Sequence, residues 1–142
     1  MAFTKTYDPA LVNISFSGLP LTGLAPDTFL KVSRSEDGFM PIVGAGGEVA
    51  RAQSRNHLGE VELTLMATSQ ANDLLSAIAN ADELSGLGVG ALFIKELNGT
   101  TLCMSESAWV KKLPDMERGK EITTVTWVFT CAELKMFIGG LL

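Results

Sequence analysis

The sequence predicts a mainly β fold, a β-sandwich or barrel with one flanking α-helix, in a single domain over residues 1–142. Several segments alternate apolar and polar residues, as half-buried strands do. An Asn98-Gly99 pair separates two β-rich runs, which is typical of a hairpin. One segment has the period of a helix instead. These features together predict about six strands around one core, with the helix covering one side.

The first strand is predicted in LVNISFSG, where Val12, Ile14 and Phe16 alternate with polar residues before Gly18. DTFLKVSR indicates a second strand, and the SEDG that follows indicates a turn. Residues 33–59 are then predicted to form a long loop, because its apolar part is interrupted by Pro41 and several glycines.

The segment GEVELTLMAT predicts a strand with apolar residues on one face and Glu60, Glu62 and Thr64 on the other. A helix of about four turns follows, because Ala71, Leu74, Leu75 and Ile78 have helical spacing. We expect Ser69 to cap its N-terminus, Asp73 to lie in its first turn, and Gly86 to end it in a left-handed conformation.

The strongest hairpin signal is Asn98-Gly99, for which we expect the positive φ angles of a type I′ turn. A polar loop and a last long strand follow, in which Val125, Trp127, Phe129 and Cys131 alternate with residues of the opposite face. Trp109 and Trp127 are both placed on strands, where a tryptophan marks either the core or an interface.

Composition indicates self-association. Hydrophobic residues make up 46% and charged residues 19%, against roughly a quarter charged in typical domains. Some apolar surface is therefore expected to meet another protein. The net charge of −5 argues against gripping phosphates, because nucleic-acid binding normally requires a basic stripe.

Membrane insertion is not expected. The longest uncharged run, residues 9–26, contains three prolines and two glycines, whereas a spanning helix needs about 20 predominantly apolar residues. The N-terminus lacks the basic and apolar regions of a signal peptide, so we expect a cytoplasmic product. Cys103 and Cys131 are expected to be reduced, buried thiols.

The glycine-rich stretch VGAGGEVARAQSRN does not match a nucleotide motif. Gly44 and Gly46 fit the dinucleotide fingerprint, but Val49 occupies the third glycine position and no helical pattern follows. The chain also lacks the Gly-Lys-Ser/Thr of a P-loop. No cofactor is expected.

Catalysis is not indicated either. His57 is the only histidine, the two cysteines have no CxxC pattern, and no G-x-S-x-G elbow is present. Glu60 and Glu62 leave three interpretations open: a glycosidase-like acid pair, ordinary solvated side chains, or an acidic wall that repels a polyanion. We expect no enzyme and no metal site.

The order of parts, strands, a long central segment, one helix, a hairpin and a final strand, resembles the tail tube proteins of contractile-tailed bacteriophages. The stretch KVSRSEDGFMPIVGAGGEVARAQSRNHLGEVELTLMATSQANDLLSAI carries the closest similarity, which extends from about residue 16 to 129. The chain is thus similar to a family of small structural proteins of the myophage tail tube.

This resemblance implies a structural virion protein that assembles in the host cytoplasm and forms homohexameric rings stacked into a tube. The implied partners are further copies of the chain and the tail sheath, tape-measure, baseplate and tail terminator proteins. DNA would pass through the lumen without specific binding.

The same resemblance suggests two sets of site residues. Glu60 and Glu62 are hypothesised to face the lumen. The inter-ring or inter-subunit contact is hypothesised to comprise Phe39, Met40, Ile42, Val43, Gly44, Gly46, Gly47, Arg51 and Arg55.

The sequence leaves two alternatives open. A tube protein of a type VI secretion system or a pyocin would share the fold. A β-barrel that binds a small apolar ligand would instead be a monomer with a cavity.

Overall fold

The computed structural model describes residues 4–141, and within them it contains ten β-strands and one α-helix. A single 3-10 turn, Pro9–Leu11, precedes the first strand. The elements are β1 (Val12–Phe16), β2 (Leu19–Pro20), β3 (Leu30–Arg34), β4 (Phe39–Val43), β5 (Val49–Gln53), β6 (Gly59–Met66), α1 (Ala71–Ser85), β7 (Gly90–Glu96), β8 (Leu102–Val110), β9 (Thr124–Cys131) and β10 (Lys135–Phe137).

Eight strands form one antiparallel sheet in the order β2-β1-β7-β8-β9-β6-β3, with β10 paired to β8 beside this path. Strands β4 and β5 pair only with each other. The large sheet curls strongly. Two strands separate β1 from β9, and yet the ring centroids of Phe16 on β1 and Phe129 on β9 lie only 5.1 Å apart.

The segment between β2 and β3 closes this curled sheet into a barrel. On one side the amide of Leu21 donates to the carbonyl of Ile14 on β1 at 2.9 Å. On the other side the amide of Met66 on β6 donates to Gly23 at 2.8 Å, and Ala25 donates to Thr64 at 3.0 Å. One short segment therefore bridges β1 and β6, the strands next to the two ends of the sheet order. The predicted mainly β fold with one helix is confirmed.

The barrel interior is packed by the inward faces that the alternating patterns predict. Val61, Leu63 and Leu65 on β6 are fully buried. On β9, Trp127 and Phe129 are at most 1% exposed. Of the two tryptophans, Trp127 thus belongs to the core, whereas Trp109 is half-buried on the outer face of the sheet. The predicted strand patterns of β1, β6 and β9 are confirmed.

Helix α1 covers the barrel as predicted. Gly86 ends it at φ 71°, and Asp73 lies in the first turn. The hydroxyl of Ser69 accepts a hydrogen bond from the amide of Ala71 at 3.2 Å, although the capping position itself is occupied by Gln70. Asn72 fixes the helix to the core, because its side-chain oxygen accepts from the indole nitrogen of Trp127 at 2.9 Å.

The β7–β8 hairpin is confirmed, but the predicted type I′ turn is wrong. Neither Asn98 nor Gly99 has a positive φ, and a longer loop connects Lys95 to its partner Leu102. The Asn98 side chain is buried, donates to the carbonyl of Asp8 at 2.7 Å and accepts from its amide at 3.0 Å. This tertiary contact with the N-terminal segment replaces the local turn preference.

The segment 33–59 also differs from the predicted long loop. Its ends belong to β3 and β6, and its middle is the β4–β5 hairpin, which we call the arm (residues 39–53). Pro41 is compatible with this arrangement because β4 has an open outer edge. Gly44, Gly46 and Gly47 lie in the connection between the two strands, whereas Gly38 precedes β4 and Gly59 begins β6.

Gly59, where the chain returns from the arm to the barrel, has no room for a side chain. An added Cβ would lie 2.9 Å from the Cβ of Leu134 and 2.9 Å from the backbone oxygen of Ser33. We expect Gly59→Ala to lower the free energy of unfolding by about 1–3 kcal/mol through overpacking. Gly38→Ala is the matched control, since no described residue other than its chain neighbours comes within 4 Å of its Cβ position. Equal denaturant midpoints for the two variants would contradict this close packing.

Candidate assembly surface

The arm is an exposed apolar hairpin. All five residues of β4 and all five of β5 are exposed to solvent. Its large apolar side chains are 44–72% exposed: Phe39, Met40, Ile42, Val43 and Val49. Contiguous exposed apolar surface of this kind marks a protein interaction site.

Both faces of the arm are apolar. The register pairs Met40 with Ala52 and Ile42 with Ala50, so one face carries no charge at all. The opposite face carries Phe39, Pro41, Val43 and Val49 together with Arg51 and Gln53. Strands that are apolar on both faces are characteristically covered on both, and an isolated two-stranded hairpin is at best marginally stable in water.

The single cation of the strands is held against an aromatic ring. The guanidinium carbon of Arg51 lies 3.9 Å from the centroid of the Phe39 ring, a cation–π arrangement. Arg55 is exposed in the segment that returns to the barrel. Both arginines thus accompany the apolar arm, as the sequence hypothesis grouped them.

The glycines form the tip of the arm. The amide of Gly44 donates to the carbonyl of Glu48 at 2.7 Å, and the amide of Gly47 donates to Gly44 at 3.0 Å. Gly47 has a φ of 85°, which glycine adopts without strain. At Gly46 a Cβ would lie 2.8 Å from the Glu48 carboxylate. The glycines therefore serve the turn, and β5 follows them where a dinucleotide fingerprint needs a helix.

Hydrogen bonds hold the base of the arm to the barrel. The Arg34 guanidinium donates twice to the carbonyl of Leu134, at 2.8 and 3.2 Å. The amide of Ser35 donates to Leu58 at 2.9 Å, and that of Leu134 donates to His57 at 2.9 Å. The arm thus leaves the barrel from a fixed junction.

Glu60 and Glu62 lie on one outer face of the barrel, as predicted from the alternation of β6. The Glu60 carboxylate accepts from Nζ of Lys111 at 2.8 Å. Glu62 stands opposite Lys31 of β3 in the strand register. The rest of this face is rich in hydroxyls, and Thr64 and Thr126 are hydrogen-bonded at 3.3 Å.

These lysines change the expected electrostatics of the face. Two carboxylates and two ammonium groups carry no net formal charge, so the acidic wall, one of the three interpretations of Glu60 and Glu62, would be compensated within the subunit. Sequence reasoning missed Lys31 and Lys111 because a lysine pairs with a glutamate across strands only once the register is known.

Neither a metal site nor a membrane span is found in the described part of the chain. Within residues 4–141 no helix combines the length and apolarity that crossing a bilayer requires. The histidine, cysteine and acidic side chains of these residues do not gather in threes in a way that could hold a metal ion.

Comparison with known proteins finds a family model that matches residues 16–139, described as the bacteriophage PhiTE tail tube protein. A curated relative, structural protein ORF10 of Pseudomonas phage KPP10, is 28% identical over 145 residues, covering 96% of this chain and 84% of the relative.

Solved structures of similar fold include the tube-terminating cap of the anti-feeding prophage, with a TM-score of 0.67 at 12% identity, covering 96% of this chain and 94% of that one. The sheath/tube terminator of an extracellular contractile injection system, PVC, has a TM-score of 0.66 at 12% identity and covers 96% and 100%. The PVC sheath–tube complex includes a chain with a TM-score of 0.61 at 10% identity, covering 93% and 91%.

The two thiols provide a test of the core. Burial raises the pKa of Cys131 from 9.0 to about 11 and also raises that of Cys103. Because the thiolate is the reactive form, we expect neither thiol of the native protein to react with a disulfide reagent at pH 8, and both to react after denaturation. Rapid reaction of either thiol in the native protein would contradict the burial of Cys103 on β8 and of Cys131 on β9.

Proposed function

The chain belongs to the phage tail tube family, and we propose that it forms homohexameric rings that stack into a hollow tube through which DNA passes during ejection. It is a structural protein of the phage tail and not an enzyme. The observation that supports tube assembly is the arm, an ordered hairpin with two apolar faces and no covering partner among the described residues of its own chain.

Assembly by a head-to-tail interface explains how this surface is used. When the arm of one subunit packs on a different surface of the next, the contact closes into a ring or continues along a stack. The low charge content of the chain agrees with extensive subunit contact. The proposed contact residues are those of the arm with its tip glycines, followed by Arg55.

The proposed lumen wall is the outer face of β6 with its neighbours β3 and β9. On this face Glu60 and Glu62 are balanced by lysines and surrounded by hydroxyls. A wall without a net positive charge offers DNA no row of cations, so transit would be weakly bound.

The proposed partners are the tail sheath around the tube, the tape-measure protein inside it, and the baseplate and tail terminator at its ends. The sheath and terminator find support in the fold neighbours, which come from a sheath–tube complex and a sheath/tube terminator. Assembly would take place in the host cytoplasm.

A second candidate is the tube of a contractile injection system, which the same fold neighbours favour. The phage family and the phage relative favour the tail. Capsid genes beside the gene for this chain would identify a phage tail, whereas their absence from a complete gene cluster would identify an injection system.

Placing a charge on the uncharged face of the arm tests the assembly proposal. We expect Ile42→Asp to abolish filaments or rings in negative-stain electron microscopy, because a buried unpaired carboxylate is costly. The free energy of unfolding of the variant subunit should stay within about 0.5 kcal/mol of the unsubstituted protein's, as for other surface substitutions. Met116→Asp, at a residue 78% exposed in a loop outside the arm, is the control. Normal assembly of Ile42→Asp would contradict the role of the arm.

Charge reversal tests the lumen face. We expect the double variant Glu60→Lys/Glu62→Lys to form tubes that retain short DNA fragments, with retention that falls steeply as salt rises. The control is Glu117→Lys/Glu121→Lys, which makes the same charge change in the loop before β9. We expect tubes of this control to retain less DNA. If both double variants retained DNA equally, the assignment of this face to the lumen would be wrong.

A further inference from the structure

We propose that the arm of one subunit docks in an apolar groove between β1 and β3 of a second copy of this chain. This inference rests on the proposed tube assembly and names the surface that receives the arm. The groove consists of two adjoining clefts of about 750 and 540 Å³. Both clefts are lined by Pro9, Val12, Pro26 and Phe29.

The groove exists because the barrel is incompletely paired at this place. Strand β3 ends the sheet order, so its outer edge carries no strand. On the other side, β2 pairs only with Ser15 and Phe16, which leaves the beginning of β1 open. Unpaired strand edges are surfaces to which a further strand can add.

The groove is lined by apolar side chains, which match the apolar side chains of the arm. Leu30 and Val32 of β3, Val12 of β1 and Met136 of β10 are half-buried along it, and buried Ile94 lies beneath them. These side chains provide a surface on which Met40 and Ile42 of the arm can be buried.

The charges are complementary as well. The residues that line the two clefts include Asp27 and Glu96 and no lysine, arginine or histidine. Neither of these carboxylates belongs to an ion pair found in the described residues. Arg51 lies on the face of the arm opposite Met40 and Ile42. When those two residues are buried in the groove, we expect Arg51, with Arg55 just beyond it, to meet the carboxylates at the rim.

The arm cannot occupy the groove of its own chain as the structure stands, because every residue of β4 and β5 is exposed. An exposed apolar patch at the end of α1, formed by Leu84, Leu87 and Val89, is the competing surface. None of these three residues belongs to a strand, and none lines either cleft. The groove is therefore the better match for a hairpin.

Cysteine cross-linking tests the docking site. A chain carrying Ile42→Cys in the arm and Thr28→Cys at the groove is assembled, mildly oxidised and run on a non-reducing gel. We expect a ladder of covalent multimers at least tenfold stronger than for the control pair Ile42→Cys/Leu87→Cys. Chains with only one of the two introduced cysteines give the background, including any cross-link to the native thiols: Cys103, which is buried in the wall of the second cleft, and buried Cys131.

The outcomes separate the two proposals. Filaments that cross-link through Leu87 and not through Thr28 would overturn the groove and leave the tube proposal standing. A chain that forms neither filaments nor rings, with or without the substitutions, would overturn both.

A charge swap gives an independent readout. Arg51→Glu should lose assembly, and Arg51→Glu combined with Asp27→Arg should restore it at least in part, because the attraction is re-formed with opposite polarity. A double variant as defective as the single one would contradict the contact between Arg51 and this rim.

Discussion

The constraint on which the structure depends is the burial of apolar surface by a chain that closes its own barrel and still extends a hairpin beyond it. The barrel buries its apolar side chains within its own core, which includes Phe16, Trp127 and Phe129. The arm does not bury its apolar side chains, since both its faces are apolar and all its strand residues are exposed. Free energy from the hydrophobic effect is therefore available only through contact with other molecules.

The junction between barrel and arm gives the hairpin a fixed base, which in the proposed assembly would set the direction of its contact. Gly59 packs closely against Leu134 and Ser33, and Arg34 binds the carbonyl of Leu134. An arm on a fixed base loses less conformational freedom on docking than a flexible loop would, which favours a defined contact over random aggregation. The same junction leads into β6, so the arm and the proposed lumen face are parts of one continuous segment.

Much of the barrel was predictable because the strands β1, β6 and β9 are buried on one face and alternate accordingly. The helix was predictable from its spacing and from Gly86. The hairpin form of the arm was not predictable from the sequence, because strands that are apolar on both faces show no alternation and Pro41 suggests a loop. The turn at Asn98 and the pairing of Glu60 with Lys111 depend on contacts between residues 90 and 51 positions apart, which no local pattern contains.

The most direct test of the account is hydrogen–deuterium exchange of residues 39–53, measured for dispersed subunits and for assembled particles. The amides of the arm should exchange rapidly in the dispersed protein, where the arm is exposed. After assembly they should exchange at least tenfold more slowly, because neighbouring subunits are proposed to cover the arm and protection reflects how rarely a covered segment opens. The amides of β6 and β9 should be protected in both states. Equal exchange of the arm before and after assembly would show that it remains exposed to solvent and would contradict the account.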